Sequence, residues 1–479
     1  MPEHFPLMVP GAAPERAPMD VRAPYDRSLI ATVERGGPQV VEKALDTAYR
    51  LFRDRDGWLS PASRIEILRR AAAIMHERRE ELAVEAAREG GKPLVDSRVE
   101  VDRAVDGVHE CVEFLRTQHG EEVPMGLNAA SANRLAFTRH EPIGIVVAFS
   151  AFNHPLNLIV HQVGPAVATG CPCIVKPAEA TPLSGMRFVG ILREAGLPEE
   201  WCQGLVTTDL DVAGSLATDR RVGFFSFIGS ARVGWMLRSK LAPGTRCALE
   251  HGGAAPVLVA EDADLERALP LISKGGFYHA GQVCVSVQRV FAHRSISHDL
   301  AERLAKAAMA LEVGDPTRPD TEVGPLIRPA EVSRVAEWVK EAVDRGGEIL
   351  AGGEALSETC YAPTVLYDPP GDARVSTSEI FGPVVCVYPY DDIDEAISRS
   401  NSLPYAFQAS VFTKDLDTAL RVSRRLDASA VMVNDHPAFR VDWMPFAGLR
   451  ESGMGVGGIP YTMKDMQIRK LVVIRSEEL

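Results

Sequence analysis

Residues 143–176, IGIVVAFSAFNHPLNLIVHQVGPAVATGCPCIVK, decide the fold class of this chain. The stretch begins with an apolar run rich in β-branched residues, Ile143–Phe149, which predicts a buried strand. The pattern of Pro155–Thr169 predicts a helix, and Cys173–Lys176 predicts a second strand. A strand, a helix and a strand in this order indicate a parallel sheet with a right-handed crossover.

The alternation continues to Leu249 and predicts a doubly wound, Rossmann-type sheet, in which ligands bind beyond the carboxyl ends of the strands. A second α/β unit is predicted by further strand candidates separated by helical stretches. These candidates are Pro256–Ala260, Arg289–His293, Pro363–Leu366, Val384–Tyr388, Ala409–Phe412 and Ala430–Asn434.

Flanking segments give four further predictions. Ser60-Pro61 begins a helix that ends at Gly90-Gly91, because Ser is a good N-cap and Gly a common stop. Val95–Thr117 is a helix with Val99, Val105, Val108, Val112 and Leu115 near one face. Glycine-rich Gly453–Gly458 is a loop. Ile468–Ile474 is a strand that pairs either with another chain or with an earlier domain.

The composition narrows the class of protein. The 479 residues include 65 acidic and 52 basic side chains, a net charge of −13, so we expect neither a nucleic-acid nor a membrane-surface partner. There is no run of eighteen apolar residues and no signal-peptide pattern at the N-terminus. Eight cysteines are too few for a disulfide framework in a chain of this length and predict reduced thiols in the cytoplasm.

Three residues after predicted turns or strands carry candidate chemistry. Cys284, in Gly281-Gln282-Val283-Cys284, is either an exposed low-pKa thiolate or a small buried thiol. Glu250, in Leu249-Glu250-His251-Gly252-Gly253, is either a general base of raised pKa or a cap or salt-bridge partner. Asn153 either donates to an oxyanion or is an ordinary N-cap.

A nucleotide site is predicted by two other strand ends. Glu179, in Lys176-Pro177-Ala178-Glu179, can accept hydrogen bonds from a ribose. Gly229 and Ser230 end a strand and open a helix, where backbone N–H groups can face a phosphate. No G-x-G-x-x-G motif follows the first strand. Cys171 and Cys173 lack a second ligand pair, so no metal is expected.

Together these segments resemble the NAD(P)-dependent aldehyde dehydrogenase superfamily. The matching pieces occur in the family's order over about residues 40–474. They are Phe-Asn-His-Pro, Lys-Pro-Ala-Glu, Phe-Ile-Gly-Ser, Leu-Glu-His-Gly-Gly, Gly-Gln-Val-Cys, Glu379-Ile380-Phe381-Gly382-Pro383 and Pro445-Phe446-Ala447-Gly448. The C-terminal stretch is most similar to the lactaldehyde and non-phosphorylating glyceraldehyde-phosphate dehydrogenase branches.

The resemblance implies a role for each site residue. Cys284 is the nucleophile that forms a thiohemiacetal and then a thioester, Asn153 holds the oxyanion, and Glu250 activates the hydrolytic water. The cofactor would be NAD, because the Glu179 carboxylate repels a 2′-phosphate, although Lys176 leaves NADP possible. Lys176 and Glu179 would hold the adenosine ribose, Gly229 and Ser230 the pyrophosphate, and Glu379 and Phe381 the nicotinamide ribose.

Polar residues in the implied aldehyde tunnel bear on the substrate. His154, Asn157 and His161 share one helical face that the family places along the tunnel, and Arg440 lies in a loop at its mouth. We therefore expect a small hydroxylated or anionic aldehyde. The alternative is that Arg440 pairs with Asp442, Asp435 or a partner chain. His251, where the family has an apolar residue, either faces Glu250 and changes its pKa or points away.

Three other functions remain open. They are a CoA-acylating aldehyde dehydrogenase, a non-catalytic binding or structural relative, and a cysteine hydrolase. The presence of Glu250 favours hydrolysis over acyl transfer to CoA. By resemblance, residues 1–119 and 140–250 form the dinucleotide domain, residues 251–440 the catalytic domain, and residues 120–139 and 461–479 a bridging element. The family uses that element to form homodimers or homotetramers.

Overall fold

The computed structural model describes residues 2–479 as a mixed α/β fold of 21 strands and 15 α-helices. The strands are β1 (Glu3–Phe5), β2 (Arg16–Arg22), β3 (Leu29–Arg35), β4 (Glu122–Val123), β5 (Arg134–Pro142), β6 (Ile145–Phe149), β7 (Cys173–Lys176), β8 (Cys202–Gly204), β9 (Val222–Ile228), β10 (Arg246–Glu250), β11 (Ala255–Val259), β12 (Val287–His293), β13 (Glu348–Ala351), β14 (Thr364–Tyr367), β15 (Val384–Tyr390), β16 (Tyr405–Ala406), β17 (Gln408–Phe412), β18 (Ala430–Val433), β19 (Leu449–Arg450), β20 (Gly453–Met454) and β21 (Gln467–Arg475).

The helices lie mainly between strands of the two large sheets. They are α1 (Pro38–Arg53), α2 (Pro61–Glu77), α3 (Arg79–Gly90), α4 (Leu94–Thr117), α5 (Asn157–Thr169), α6 (Leu183–Glu194), α7 (Leu210–Thr218), α8 (Ala231–Arg238), α9 (Leu265–Phe277), α10 (Arg294–Met309), α11 (Pro329–Asp344), α12 (Arg374–Thr377), α13 (Ile393–Asn401), α14 (Leu416–Arg425) and α15 (Ile459–Asp465). Among residues 2–479, no helix is both long and apolar enough to cross a bilayer.

A six-stranded sheet has the order β20-β10-β9-β6-β7-β8 and is parallel except for β20. The chain leaves β6 towards β7 and β8 on one side and returns on the other side as β9 and β10. The point where the direction reverses lies between β6 and β9. In sheets of this kind it is the place where a crevice opens for a ligand.

Alternation along β6 explains why helices cover both faces of this sheet. Val146 and Ala148 pack in the core with α2, α4 and α5, whereas Ile145 and Val147 pack in a second core with α1 and α7. The sequence of a strand that is buried on both faces is a continuous run of apolar residues. The predicted doubly wound sheet is thereby confirmed.

A seven-stranded sheet has the order β13-β14-β15-β12-β11-β17-β18, parallel except for β13. The second predicted run of strands is confirmed, with ends that differ by a few residues. Three small sheets complete the fold: β1-β3-β2, β16-β19 and β21-β5-β4. The first of these was not predicted, since β1 has three residues and β2 is mostly exposed.

The structure corrects three local predictions. The single helix expected between Ser60 and Gly91 is two helices, because Arg78 leaves helical geometry at φ −98° and ψ 20°. On α4, Val101 is buried and Val99 is 54% exposed, so Val99 was wrongly placed on the buried face. Gly453–Gly458 is not entirely loop, since Gly453–Met454 forms β20 and pairs with β10.

The last strand returns to an earlier part of the chain. Along its whole length, β21 pairs antiparallel with β5, from Gln467 opposite Pro142 to Arg475 opposite Arg134. Of the two partners left open for Ile468–Ile474, the structure therefore contains the intramolecular one.

Candidate active site

One cavity of about 1080 Å³ lies at the carboxyl ends of β6, β7, β9 and β10 in the six-stranded sheet and at the amino ends of β12 and β15 in the seven-stranded sheet. Its lining includes every predicted site residue except His161. Typical ligand pockets measure roughly 300–1,000 Å³, so this cavity has room for more than one small ligand. The residues from the two sheets are thus brought to one place, although they are up to 287 positions apart, from Asn153 to Arg440.

Cys284 is presented by a tight segment between α9 and β12. His279 and Ala280 both have positive φ, of 50° and 53°, and a Cβ on Gly281 would lie 2.1 Å from the carbonyl oxygen of Gly382. This close approach explains the glycine. The Cys284 side chain is half-buried, and burial together with the charge of Glu250 raises the pKa of its thiol well above the usual value. In this structure burial favours the thiol form of Cys284, and the exposed, low-pKa thiolate stays a prediction.

Asn153 lies beside the nucleophile segment rather than at a helix cap. Its Nδ2 donates to the carbonyl oxygen of Gln282 at 3.0 Å, two residues before Cys284. Helix α5 begins four residues later, at Asn157, so the N-cap interpretation is wrong. Among residues 2–479, the backbone N–H of Cys284 donates to no other residue. A site with both an amide side chain and a free backbone N–H can bind an oxyanion.

Glu250 ends β10 as a buried carboxylate. Its Oε1 has no hydrogen-bond partner, and the nearest cation, Nη1 of Arg440, is 3.9 Å away. Burial raises the pKa of Glu250, against the charges of Arg440 and Arg103. A carboxylate with an unused oxygen and a raised pKa is suited to accept a proton from water.

His251 points away from Glu250. Its Nδ1 is 2.8 Å from the carbonyl oxygen of Gly229, and its ring packs edge-on against Phe227 and Trp235. The backbone carbonyl oxygen of Glu250 also accepts from the N–H of Gly229 at 3.0 Å. The end of β10 therefore binds both the N–H and the carbonyl oxygen of Gly229.

The far end of the cavity carries the predicted nucleotide residues. Lys176 Nζ and Glu179 Oε1 are 2.6 Å apart, and the Glu179 side chain is 43% exposed. Ser230 precedes α8 without using its side chain as a cap. The first N–H groups of a helix have no partner within it, so Ser230 and this turn leave donors for an anion.

Glu379 and Phe381 lie between the nucleotide end and Cys284. Glu379 Oε1 accepts from Gly253 N at 3.2 Å, and burial raises the pKa of Glu379 to about 8. A Cβ on Gly252 would overlap this carboxylate, so the first Gly of the motif makes room for it. Phe381 has φ 48° and packs edge-on against Phe152. The donors, the acceptors and the volume of the cavity fit a nicotinamide dinucleotide.

The substrate side of the cavity is polar. Burial, with the charge of Lys92, lowers the pKa of His154 well below its usual value, so its ring is neutral. The Arg440 side chain is 9% exposed, and its guanidinium lies over the Phe446 ring with 3.6 Å to the centroid. No acceptor bonds its Nε. The proposed ion pair between Arg440 and Asp442 is not formed.

Asp442 instead binds residues from two helices. Arg103 donates to both of its oxygens, from Nη2 at 2.7 Å and from Nε at 3.1 Å. Asn157 Nδ2 and His161 Nε2 lie 3.3 and 2.6 Å from Oδ1. The helical face predicted to line the tunnel therefore turns partly towards Asp442, and His161 lies behind Arg440. Arg103 lines the cavity and was missed by the sequence analysis.

The aldehyde dehydrogenase family matches residues 11–472. The chain belongs to this family. Its members' chemistry makes it an NAD(P)-dependent oxidoreductase that acts on aldehydes, and the resemblance to the family is confirmed.

Three relatives of this enzyme carry informative names. It is 39% identical to a 3-sulfolactaldehyde dehydrogenase of Priestia aryabhattai, over 95% of this chain and 94% of that one. It is similar to aldehyde dehydrogenase 21 of Physcomitrella patens, solved with the reaction product succinate (34% identity, 99% of both chains, TM-score 0.94). It is also similar to the glyceraldehyde-3-phosphate dehydrogenase GapN of Methanocaldococcus jannaschii, complexed with NADP (33% identity, 96% of this chain and 100% of that chain, TM-score 0.91). The first and third of these names agree with the branches that the C-terminal stretch resembles.

Proposed function

We propose that this aldehyde dehydrogenase oxidises a small anionic or hydroxylated aldehyde to a carboxylate, with NAD as the preferred cofactor. The observation that carries the proposal is the buried guanidinium of Arg440. It lines the cavity of Cys284 and has no carboxylate within hydrogen-bond distance. A cation that is buried away from water is costly unless an anion pairs with it. An anionic group on the substrate supplies that partner.

Cys284 begins the reaction by attacking the aldehyde carbon. Since burial holds its proton, the thiol must transfer that proton to a nearby base, and Glu250 is the carboxylate whose charge acts on it. The new C–S bond places negative charge on the former carbonyl oxygen. Asn153 Nδ2 and the Cys284 N–H are the donors available to stabilise that charge.

The second half of the reaction releases the acid. When bound, a nicotinamide dinucleotide supplies the acceptor for the hydride that leaves the thiohemiacetal carbon, and an acyl-thioester remains on Cys284. Glu250 releases to solvent the proton that it took from Cys284 and then takes a proton from water. The hydroxide attacks the acyl carbon, the C–S bond breaks, the acid leaves as the carboxylate with its proton going to solvent, and the Cys284 thiolate recovers a proton from Glu250. The unused Oε1 of Glu250 is where such a water can bind.

The anionic class is supported by both the site and the relatives. Arg440 and Arg103 are two guanidinium groups on one side of the cavity. The three relatives act on, or were solved with, molecules bearing a sulfonate, a carboxylate or a phosphate, as their names say. Neutral His154 and Asn157 add groups that can bind a hydroxyl.

The cofactor residues keep the roles implied by the family. Lys176 and Glu179 hold the adenosine ribose, Gly229 and Ser230 contact the pyrophosphate, and Glu379 with Phe381 positions the nicotinamide ribose. The Lys176–Glu179 pair supports NAD over NADP, because a carboxylate at the ribose repels a 2′-phosphate. NADP binding through Lys176 is the alternative.

The domain division follows the sheets. Apart from β20, the strands of the six-stranded sheet fall in residues 140–250, and those of the seven-stranded sheet fall in 251–440. The sheet β21-β5-β4 lies mostly in the bridging segments 120–139 and 461–479. We assign that small sheet to assembly as a homodimer or homotetramer. The eight free cysteines fit the reducing cytoplasm.

Kinetics with an aldehyde panel test the substrate class. Purified enzyme and the Arg440→Gln variant are assayed for NAD⁺ reduction with succinic semialdehyde, glyceraldehyde 3-phosphate, lactaldehyde and propanal. A charge-assisted hydrogen bond contributes about 1.5–3 kcal/mol, so we expect KM for the anionic members to rise about 10- to 100-fold and KM for propanal to change little. The control is Arg267→Gln, whose side chain is 88% exposed.

Two results would contradict the proposal. Equal losses for propanal and the anionic aldehydes would show that Arg440 does not select an anion. Aldehyde oxidation that requires added CoA and yields an acyl-CoA would instead indicate the acylating alternative. The Glu250→Gln variant separates the two chemistries, since hydrolysis requires this base and transfer to a thiol does not.

A further inference from the structure

Three buried side chains form a row that ends at the cavity. Asp442 Oδ1 lies 2.6 Å from His161 Nε2, and His161 Nδ1 lies 3.3 Å from Arg440 Nη2. The first two side chains are 3% and 6% exposed, and only Arg440 lines the cavity of Cys284. The row therefore joins a residue at the active site to two residues behind it.

The protons of this row are fixed by its chemistry. A guanidinium has donors only, so His161 Nδ1 must accept from Arg440. Nε2 then carries the ring proton and donates it to the Asp442 carboxylate. Burial lowers the pKa of His161 to about 4, which keeps the ring neutral. Burial alone would raise the pKa of Asp442, but the hydrogen bonds from His161 and Arg103 outweigh it and lower that pKa. Each nitrogen or oxygen atom through which two neighbouring members of the row face each other therefore has a hydrogen-bond partner.

Arg440 has little else to hold it in place. Its guanidinium lies over the Phe446 ring, which restrains its plane but not its rotation in that plane. Its Nε has no acceptor, and the Glu250 carboxylate is 3.9 Å from Nη1. If His161 no longer binds Arg440, the guanidinium is free to turn to the nearest carboxylate, which is that of the catalytic base Glu250.

We infer that His161 is a positioning residue that holds the Arg440 guanidinium towards the anionic end of the substrate and away from Glu250. This inference rests on the proposed function, because it gives Arg440 a substrate anion to bind. His161 acts through Arg440 and does not itself contact the substrate. Asp442 serves the same end by fixing the tautomer that presents a lone pair to Arg440, as carboxylate partners of histidine do elsewhere.

Two substitutions of His161 separate its acceptor from its bulk. His161→Phe keeps a ring of similar size but removes the acceptor, and His161→Asn keeps an oxygen acceptor close to the position of Nδ1. We expect His161→Phe to raise KM for succinic semialdehyde about 10-fold and to change KM for propanal less than 2-fold. We expect kcat to fall for both aldehydes alike, because the released guanidinium can approach Glu250. We expect His161→Asn to recover most of the loss. His298→Phe, on an exposed histidine, is the control.

A binding measurement keeps the test independent of turnover. Propane-1-sulfonate, an anion without an aldehyde, is titrated as a competitive inhibitor of propanal oxidation. We expect its inhibition constant to rise by a similar factor in His161→Phe and to recover in His161→Asn. An equal rise in KM for propanal and succinic semialdehyde in His161→Phe would show a merely structural role and overturn the inference.

The outcomes distinguish this inference from the proposed function. If Arg440→Gln raises KM for the anionic aldehydes and His161→Phe leaves it unchanged, the substrate class stands and the positioning role is wrong. If Arg440→Gln affects no anionic aldehyde selectively, the proposed substrate class fails first. If His161→Asn is no better than His161→Phe, the acceptor at Nδ1 is not what positions Arg440.

Discussion

At the scale of single residues, the nucleophile and the base oppose each other's ionisation. Burial raises the pKa of Cys284, and the Glu250 charge raises it further. Glu250→Gln removes that charge, so we expect the pKa of Cys284 to fall in this variant. The rate of inactivation by iodoacetamide, measured from pH 6 to 10, should rise at a lower pH in Glu250→Gln than in the native enzyme. Superimposable pH profiles would show that the two groups are not coupled.

The pH dependence of hydrolysis follows from Glu250. Burial raises its pKa, and Arg440 lowers it in part. The base works when deprotonated, so activity should fall as the pH falls through a pKa above the ordinary value of about 4.3. Removing the cation in Arg440→Gln should move this acid limb to higher pH. The measurement is kcat against pH with propanal, which lacks an anion of its own. A limb that moves to lower pH would contradict this assignment.

His251 gives a residue-scale prediction about the cofactor. Its Nδ1 donates to Gly229 O and so holds the turn before α8. Leu at this position has no donor, whereas Asn places an amide close to the position of Nδ1. A hydrogen bond contributes about 0.5–1.5 kcal/mol, so His251→Leu should weaken NADH binding about 2- to 10-fold and His251→Asn should restore it. NADH fluorescence titration measures this without turnover. Equal affinity in all three proteins would show that the turn needs no such bond.

Single residues also show where sequence reasoning ends. Cys284, Glu250 and Asn153 were recognised because each lies in a short local motif. Arg103 and Asp442 lie in no motif, and they are 339 positions apart, so their ion pair exists only through the packing of α4 against the C-terminal segment. The same packing turns His161 away from the cavity. A polar face on a helix predicts polar contacts but not which side of the helix meets the ligand.

At the scale of elements, a side chain from one helix caps another. Glu89 of α3 accepts from Leu183 N and Ser184 N, both at 2.8 Å, and from the Ser184 hydroxyl, at the start of α6. The residue before α6 is Pro182, which has no side-chain cap of its own. Glu89 is fully buried, so these donors have no access to water. Glu89 therefore accepts hydrogen bonds from the first N–H groups of α6, as an N-cap residue does, although it belongs to α3.

Loss of this cap should destabilise the protein. Each buried donor left without a partner costs about 1–3 kcal/mol, so Glu89→Ala should lower the free energy of unfolding by about 2–4 kcal/mol. Glu89→Gln keeps one acceptor oxygen and should cost less. Urea unfolding followed by tryptophan fluorescence measures both, and Glu302→Ala, on an exposed stretch of α10, is the control. Equal stability of Glu89→Ala and the native protein would show that water replaces the carboxylate.

Elements were predictable where their signals are local. Ser60 is the N-cap of α2 and accepts from Ser63 N, and Gly91 ends α3 with φ 75°, both as the sequence indicates. The break at Arg78 carries no glycine or proline, so no local signal marks it. β20 was unpredictable for a different reason: two residues become a strand only because the end of β10 lies beside them.

At the scale of the whole molecule, the two large sheets were predictable because buried parallel strands are continuous apolar runs. Their relative placement was not, since no local pattern states how two sheets meet. The cavity depends on that meeting: Glu250 ends a strand of one sheet, while Cys284 directly precedes a strand of the other. The family resemblance supplied this arrangement, and the residues alone did not.

The assembly prediction belongs to this scale. β21 lies at the edge of its sheet, with β5 as its only strand neighbour among residues 2–479. Leu471 and Val473 lie on one face of β21 and are 53% and 49% exposed. An apolar edge strand left uncovered is prone to pair with another chain, so a native contact there is expected to cover it.

Charges on this face should therefore separate the subunits. We expect the double variant Leu471→Asp, Val473→Asp to sediment as a monomer of 52.0 kDa, while the native enzyme sediments as a dimer or tetramer. Leu416→Asp, on a helix residue that is 70% exposed, should leave the assembly intact. Analytical ultracentrifugation measures the masses, and NADH titration checks that the cavity survives. If the double variant keeps the native mass, the contact between subunits lies elsewhere, and β21 must be protected by its charged neighbours Arg469, Lys470 and Arg475 rather than by a partner.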